Sequence, residues 1–156
     1  MDSIDRNILV ALQHDGAAGL AELAKVAGLS VSATAERVKR LEERGTIRGW
    51  RADLDPAAVG CPLLAWVFVA LRPATSDTKF REALLPLEAV VECHAVSGAW
   101  SYLLKLRVAT LGELETFVAG ELRRKAGVER TEIVLALATV KETAILPVAP
   151  ADDDEE

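Results

Sequence analysis

The chain has 156 residues, 51% hydrophobic but only 4% aromatic, which predicts aliphatic cores in one ordinary domain or two small ones. No run approaches the ~18 apolar residues of a membrane span, and Met1–Asp5 lacks the basic and apolar regions of a secretion signal. Cys61 and Cys93 are too few for a disulfide framework, so the expected compartment is the cytoplasm, and a net charge of −6 excludes a uniformly basic surface.

Ile4, Ile8, Leu9 and Leu12 recur at helical spacing, with Asp2 suited to cap the helix and Asp5 in its first turn. Asp15-Gly16 ends that helix. A second follows on Leu20, Leu23, Ala24 and Ala27 and stops at Gly28. Ser30 or Ser32 then caps a third, which runs to Gly45. Three short helices with a glycine turn before the last predict a helix-turn-helix. At 100° per residue, Thr34, Ala35, Val38 and Leu41 gather on one side of the third helix, and Ala33, Arg37, Arg40 and Arg44 on the other. The segment Thr46–Leu54 alternates around Gly49 and reads as a β-ribbon, or wing, while Asp55-Pro56 and Gly60-Cys61-Pro62 mark a linker.

The second half changes character. Leu63–Leu71 is a β-rich run, and Thr78–Leu87 reads as a helix with Phe80, Leu84 and Leu87 inward. Val90–Val96 and Tyr102–Val108 are expected strands joined through Ser97–Ser101. Leu111–Lys125 is a helix with Leu111, Leu114, Val118 and Leu122 on one face. Thr131–Val140 is a long expected strand, and Ile145–Val148 an edge strand. The order βαββαβ is the ferredoxin-like plan, so the fold class is α+β, a winged helix-turn-helix followed by a ferredoxin-like domain. The expected boundaries are 1–55, a linker at 56–62, 63–148, and an acidic disordered tail at 149–156. Successive apolar positions in Leu63–Leu71 and Ile133–Ala138 imply burial on both sheet faces. Helices cover only one face of such a sheet, so a second copy is expected on the other.

The charge is unevenly placed. Asp152–Glu156 carries five negative charges, residues 56–151 balance at ten of each sign, and residues 1–55 hold eight basic against nine acidic groups. Between 36 and 51, however, Arg37, Lys39, Arg40, Arg44, Arg48 and Arg51 outnumber Glu36, Glu42 and Glu43. A local basic patch of this kind suits double-stranded DNA, with modest non-specific affinity. Taken alone, the stripe also fits a solvated helix face with Glu36 and Arg40 paired at i,i+4. The preceding turn, small Ala33 at the helix start and the following wing favour a DNA reader. Ser32, Ala33 and Arg37 are expected to probe bases, Ser30, Ser32, Lys39, Arg44, Arg48 and Arg51 to position phosphates, and Arg40 to reach either. Trp50 is expected to pack against the helices.

Asp2–Leu9, Glu22-Leu23-Ala24, Gly28-Leu29-Ser30, Glu36–Glu42, Glu92–Gly98 and Tyr102–Lys105, in this order and spacing, resemble the leucine-responsive/asparagine-responsive (Lrp/AsnC) transcription regulators over residues 2–148. The resemblance implies a DNA-binding regulator that forms dimers, tetramers or octamers, binds pseudopalindromic promoter DNA and often responds to amino acids. It also implies an effector turn at Ser97, Gly98, Ala99, Trp100, Ser101 and Tyr102. Relatives that bind amino acids often carry an acid where this chain has Ser101. A serine offers no full charge to an ammonium group, so amino acids are expected to bind weakly, or another ligand, or none, to take their place.

Trp100 is expected as an interface or packing residue. Glu92 and His94 share one strand face and Cys93 the other, so no metal and no cofactor is expected. The sirohaem decarboxylases share this two-part plan but carry a histidine-and-aromatic signature in the hairpin, where this chain has Ser97–Tyr102. No nucleophile–base pair stands elsewhere, and the chain is not expected to be an enzyme. A sensing module with a vestigial reader is the remaining alternative, against which the arginine stripe argues.

Overall fold

The computed structural model describes residues 1–73, 75–125 and 127–148. The chain divides into two compact units, Met1–Asp53 with the segment from Lys141 onward, and Leu54–Val140. The acidic tail lies outside the described residues.

In the first unit, α1 (Ser3–His14), α2 (Leu20–Ala27) and α3 (Val31–Glu43) follow the predicted order. Asp2 caps α1 by accepting from the Asp5 amide. Ser30, rather than Ser32, caps α3 by accepting from the Ala33 amide. Gly28 ends α2 with φ +66°, the left-handed conformation that glycine adopts at least cost, and this turns the chain into α3. Ile8, Leu12, Leu23, Ala27 and Leu41 form the core, with Ile4, Leu9, Val38 and Ile47 against it. Burying each large aliphatic side chain here contributes roughly 1.5–3 kcal/mol, enough to hold three helices each too short to persist alone.

Two expectations for this unit are corrected. Among the described residues, the segment 46–54 forms no β-ladder, because its alternation has no second run within the chain to pair with. Ile145–Val148 forms no edge strand either. Leu146 instead exchanges two hydrogen bonds with the Gln13 side chain on α1: its amide donates to Oε1 at 2.7 Å and its carbonyl accepts from Nε2 at 3.1 Å. The segment from Lys141 therefore groups with the helical unit.

The second unit is built on β1 (Leu63–Leu71), α4 (Asp77–Leu84), β2 (Val90–Ala95), β3 (Tyr102–Val108), α5 (Leu111–Thr116), a π-helical segment (Phe117–Leu122), α6 (Arg123–Lys125) and β4 (Val128–Leu135). The sheet is antiparallel in the order β2-β3-β1-β4, the ferredoxin-like arrangement. Its helix-covered face holds Ala65, Val67, Val69, Leu104 and Leu106, packed against Phe80, Leu84, Val118 and Leu122.

The element limits differ from the expected ones for identifiable reasons. α4 stops at Leu84 because Pro86 cannot continue a helix. Leu111 is 58% exposed rather than inward, and the helix after it widens into a π turn that keeps Val118 and Leu122 on the core. β4 starts and ends earlier than expected: its register pairs Ala65 with Leu135, and beyond Ala136, whose amide donates to the Leu64 carbonyl, β1 offers nothing further to pair with.

On the open sheet face, the register aligns Trp66 with Lys105 and Val134, and Phe68 with Leu103 and Glu132. Trp66 and Phe68 are half-buried and Val134 is 43% exposed.

Candidate nucleic-acid interface and effector turn

Helix α3 has two chemically distinct sides. Thr34 is fully buried, and its hydroxyl donates to the Ser30 carbonyl at 3.0 Å, so this polar core residue is satisfied locally. Leu41 is buried beside it, with Val38 and Ala35 half-buried. Ser32, Ala33, Lys39, Arg40 and Arg44 lie exposed, as do Arg48 and Arg51 beyond the helix. The predicted inward and outward sides of the helix are thus those observed, except that Arg37, expected outward, is half-buried.

The cations on the outward side differ in their engagement. Arg37 donates through Nη1 to Asp2 Oδ2 and to Asp5 Oδ1, both at 2.7 Å. Its side chain is 26% exposed and that of Asp5 only 13%. These bonds hold the Asp2 carboxyl below the usual range, helped first by its bond from the Asp5 amide, and they raise the Arg37 pKa. Arg40 meets Glu36 at 3.5 Å and Lys39 meets Glu43 at 3.7 Å, both one-turn pairs in open solvent. Pairs of that kind contribute only ~0.3–0.5 kcal/mol and exchange readily. Among the described residues, no ion pair engages Arg44, Arg48 or Arg51. Trp50 donates from Nε1 to Glu42 at 2.8 Å, but its ring is 49% exposed rather than packed against the helices as expected.

In the second unit the hairpin turn is closed by its own groups. The Ser101 amide donates to the Val69 carbonyl at 2.8 Å, its carbonyl accepts from the Val96 amide, and its hydroxyl accepts from the Leu71 amide at 3.1 Å. Ser101 therefore terminates the ladder beside β1. Trp100 lies against Phe68 with ring centroids 5.7 Å apart, and the Arg130 guanidinium stands 4.2 Å from the Trp100 centroid. Arg130 also donates to the Ala99 carbonyl at 3.4 Å. Arg130 and Phe68 were missed by sequence reasoning, because only the observed β4 register brings Arg130 opposite Ala70 and so beside the turn.

Tyr102 leaves the turn for the opposite sheet face. It is 3% exposed, packs 4.7 Å from Phe80 and accepts from Arg81 Nε at 2.9 Å. Beside it a groove of about 520 Å³ opens between α4 and β2, lined by Arg81, Leu84, Cys93 and Tyr102 among others. Burial raises the Cys93 thiol pKa. Glu92 accepts from Lys105 Nζ at 3.0 Å, which holds its carboxyl low, and it lies 3.2 Å from His94 Nε2. Among the described residues, no group of His, Cys, Asp and Glu is placed to hold a metal ion.

Residues 1–42 match the AsnC-type helix-turn-helix domain, and residues 64–146 match the Lrp/AsnC ligand binding domain. The chain belongs to the Lrp/AsnC family of transcriptional regulators. It is 40% identical to the leucine-responsive regulatory protein of Haemophilus influenzae over 148 residues, covering 94% of this chain and 89% of that one. Against the Escherichia coli protein of that name it is 39% identical over 145 residues, covering 92% and 88%. A Neisseria meningitidis transcriptional regulator in complex with L-methionine superposes with a TM-score of 0.89 at 31% identity, covering 94% of this chain and 96% of that one. The feast or famine regulatory protein of Mycobacterium tuberculosis, complexed with L-methionine, superposes with a TM-score of 0.87 at 40% identity, covering 93% and 97%. These Lrp/AsnC relatives are regulators, and the decarboxylase alternative finds no support among them. Among the described residues, no helix is long and apolar enough to cross a membrane.

Proposed function

We propose that this regulator binds pseudopalindromic promoter DNA as a dimer or larger assembly, through Ser30, Ser32, Ala33, Lys39, Arg40, Arg44, Arg48 and Arg51. The observation that carries the reading is the division of α3 into a side closed on Thr34 and Leu41 and an exposed side bearing Arg40 and Arg44. The N-terminal end of such a helix is the part that meets base edges, and flanking cations meet phosphates. The half-open apolar positions Trp66, Phe68 and Val134 support a second copy against the sheet. The protein acts in the cytoplasm without catalysis.

The turn Ser97–Ser101, with Arg130 beside it, is the proposed effector site, and L-methionine, the ligand of two structural neighbours, is the first compound to test. The Ser101 hydroxyl already accepts from Leu71, and it supplies no negative charge for an ammonium group. Ordinary amino acids therefore bind weakly. Selection of duplexes from a randomised pool, with and without L-methionine, tests both parts. Paired half-sites one helical turn apart, or a multiple of it, are the expected product. Recovery of no enriched duplex would sink the DNA reading, and micromolar L-methionine binding by calorimetry would sink the weak-effector reading.

A further inference from the structure

We propose that Arg37 is a positioning residue: it ties α3 to the N-terminus of α1 through Asp2 and Asp5, setting the pose of the reading helix without itself contacting a base. The inference rests on the reading of α3 as the DNA-facing helix.

Three observations carry it. Both ion pairs are 2.7 Å long and the one to Asp5 is partly withdrawn from solvent, whereas those of Arg40 and Lys39 are longer and open. Asp2 uses its two oxygens for different ends, Oδ1 accepting from the Asp5 amide as the α1 cap and Oδ2 accepting from Arg37, so the strut is anchored on the cap itself. Finally, the Arg37 guanidinium already faces two carboxylates, so its charge is engaged before any phosphate or guanine O6 arrives. To read a base, Arg37 would have to exchange two short charge-assisted bonds for a contact beside two freed carboxylates. Arg40 gives up only one long solvent-exposed contact to do the same. The outward stripe therefore splits into Arg37 as a strut and Ser32, Ala33, Arg40 and Arg44 as the DNA-facing set.

The test uses the full chain, a duplex it selects from a randomised pool, and every single-base variant of that duplex, at a temperature where each protein variant remains fully folded. Arg37→Gln and Asp5→Asn are each expected to weaken binding to all of these duplexes by a common factor of about three to ten, the scale of one ordinary net hydrogen bond. The ranking of the base variants stays unchanged, and Arg37→Lys, which keeps a cation for the two carboxylates, recovers most of the affinity. A residue that only stabilised the fold would leave the affinity of the folded protein untouched. A change of base ranking at one position in Arg37→Gln would overturn the strut, as would tighter binding by Asp5→Asn.

The melting temperatures of Arg37→Gln, Asp5→Asn and the double variant give a second, independent measure of the coupling. The double variant should lose no more than the worse single one, and additive losses would overturn the proposal. That measure stands even if the parent selects no duplex, an outcome that defeats the DNA reading itself.

Discussion

The Ser101 hydroxyl accepts a hydrogen bond from the Leu71 amide, so its side chain, in the proposed effector turn, closes the end of β1. Removing that acceptor in Ser101→Ala leaves the amide without its partner, at a cost of about 1 kcal/mol. A melting temperature lowered by a few degrees is expected. Ser101→Asp keeps an acceptor and adds a negative charge, so it should tighten L-methionine binding by about tenfold, near 1.4 kcal/mol. Calorimetry on parent and variant decides it; unchanged binding would mean the turn does not meet the ammonium group.

Asp2 makes acid sensitivity a local property of α1. Its carboxyl is held below the usual range in the folded chain, by the Asp5 amide and then by Arg37. A depressed folded value means that the stabilisation is complete above the unfolded value, about 3.9, and disappears as pH falls through the depressed one. Asparagine caps a helix as well as aspartate does but carries no charge. Asp2→Asn should therefore be less stable than the parent at neutral pH and converge with it in strong acid. Denaturant unfolding across that range checks the sign, and a constant difference at all pH values would refute it.

Arg44 and Arg48 are exposed, with no ion pair among the described residues. If each meets a phosphate, Arg44→Ala and Arg48→Ala should each flatten the dependence of log affinity on log salt by about 0.9. Fluorescence anisotropy at several salt concentrations gives the slope directly, and parent-like slopes in both variants would remove these residues from the interface.

Gly127 enters β4 with φ +66°, and a Cβ there would run into the Thr75 side chain. The same residue's carbonyl accepts from the Arg72 amide and the Thr75 hydroxyl, so the strand entry cannot simply swing away. Gly127→Ala should destabilise the protein by about 1–3 kcal/mol. Adding Thr75→Ala removes the clash but not the backbone strain, so only part of the loss should return in thermal unfolding. Full recovery would show that strain plays no part.

Much of this molecule is legible in its residues. The caps Asp2 and Ser30, the turn at Gly28 and the four-residue spacing of Ile4, Ile8 and Leu12 are local signals, and the helices they announce are those observed. The same holds for β1 and β3, whose limits match because their apolar periods are intrinsic to the run. Where a limit depends on a partner, sequence reasoning slipped. β4 ends where β1 runs out, residues 46–54 alternate without a strand to meet, and Leu146 leaves the sheet for Gln13.

The two candidate sites divide along the same line. The amphipathic split of α3, with Thr34 inward and Arg40 and Arg44 outward, follows from helical period alone, since every angle is set within one segment. The engagement of Arg37 by Asp2 and Asp5, more than thirty residues away, and the arrival of Arg130 over Trp100 are not encoded in any local pattern. They depend on how α1 packs against α3 and on the register of β4 beside β1. Local chemistry determined which elements form and which way they face. Tertiary structure decided which charged groups are already occupied, because an ion pair depends on distances that only the packed chain brings down to 2.7 Å.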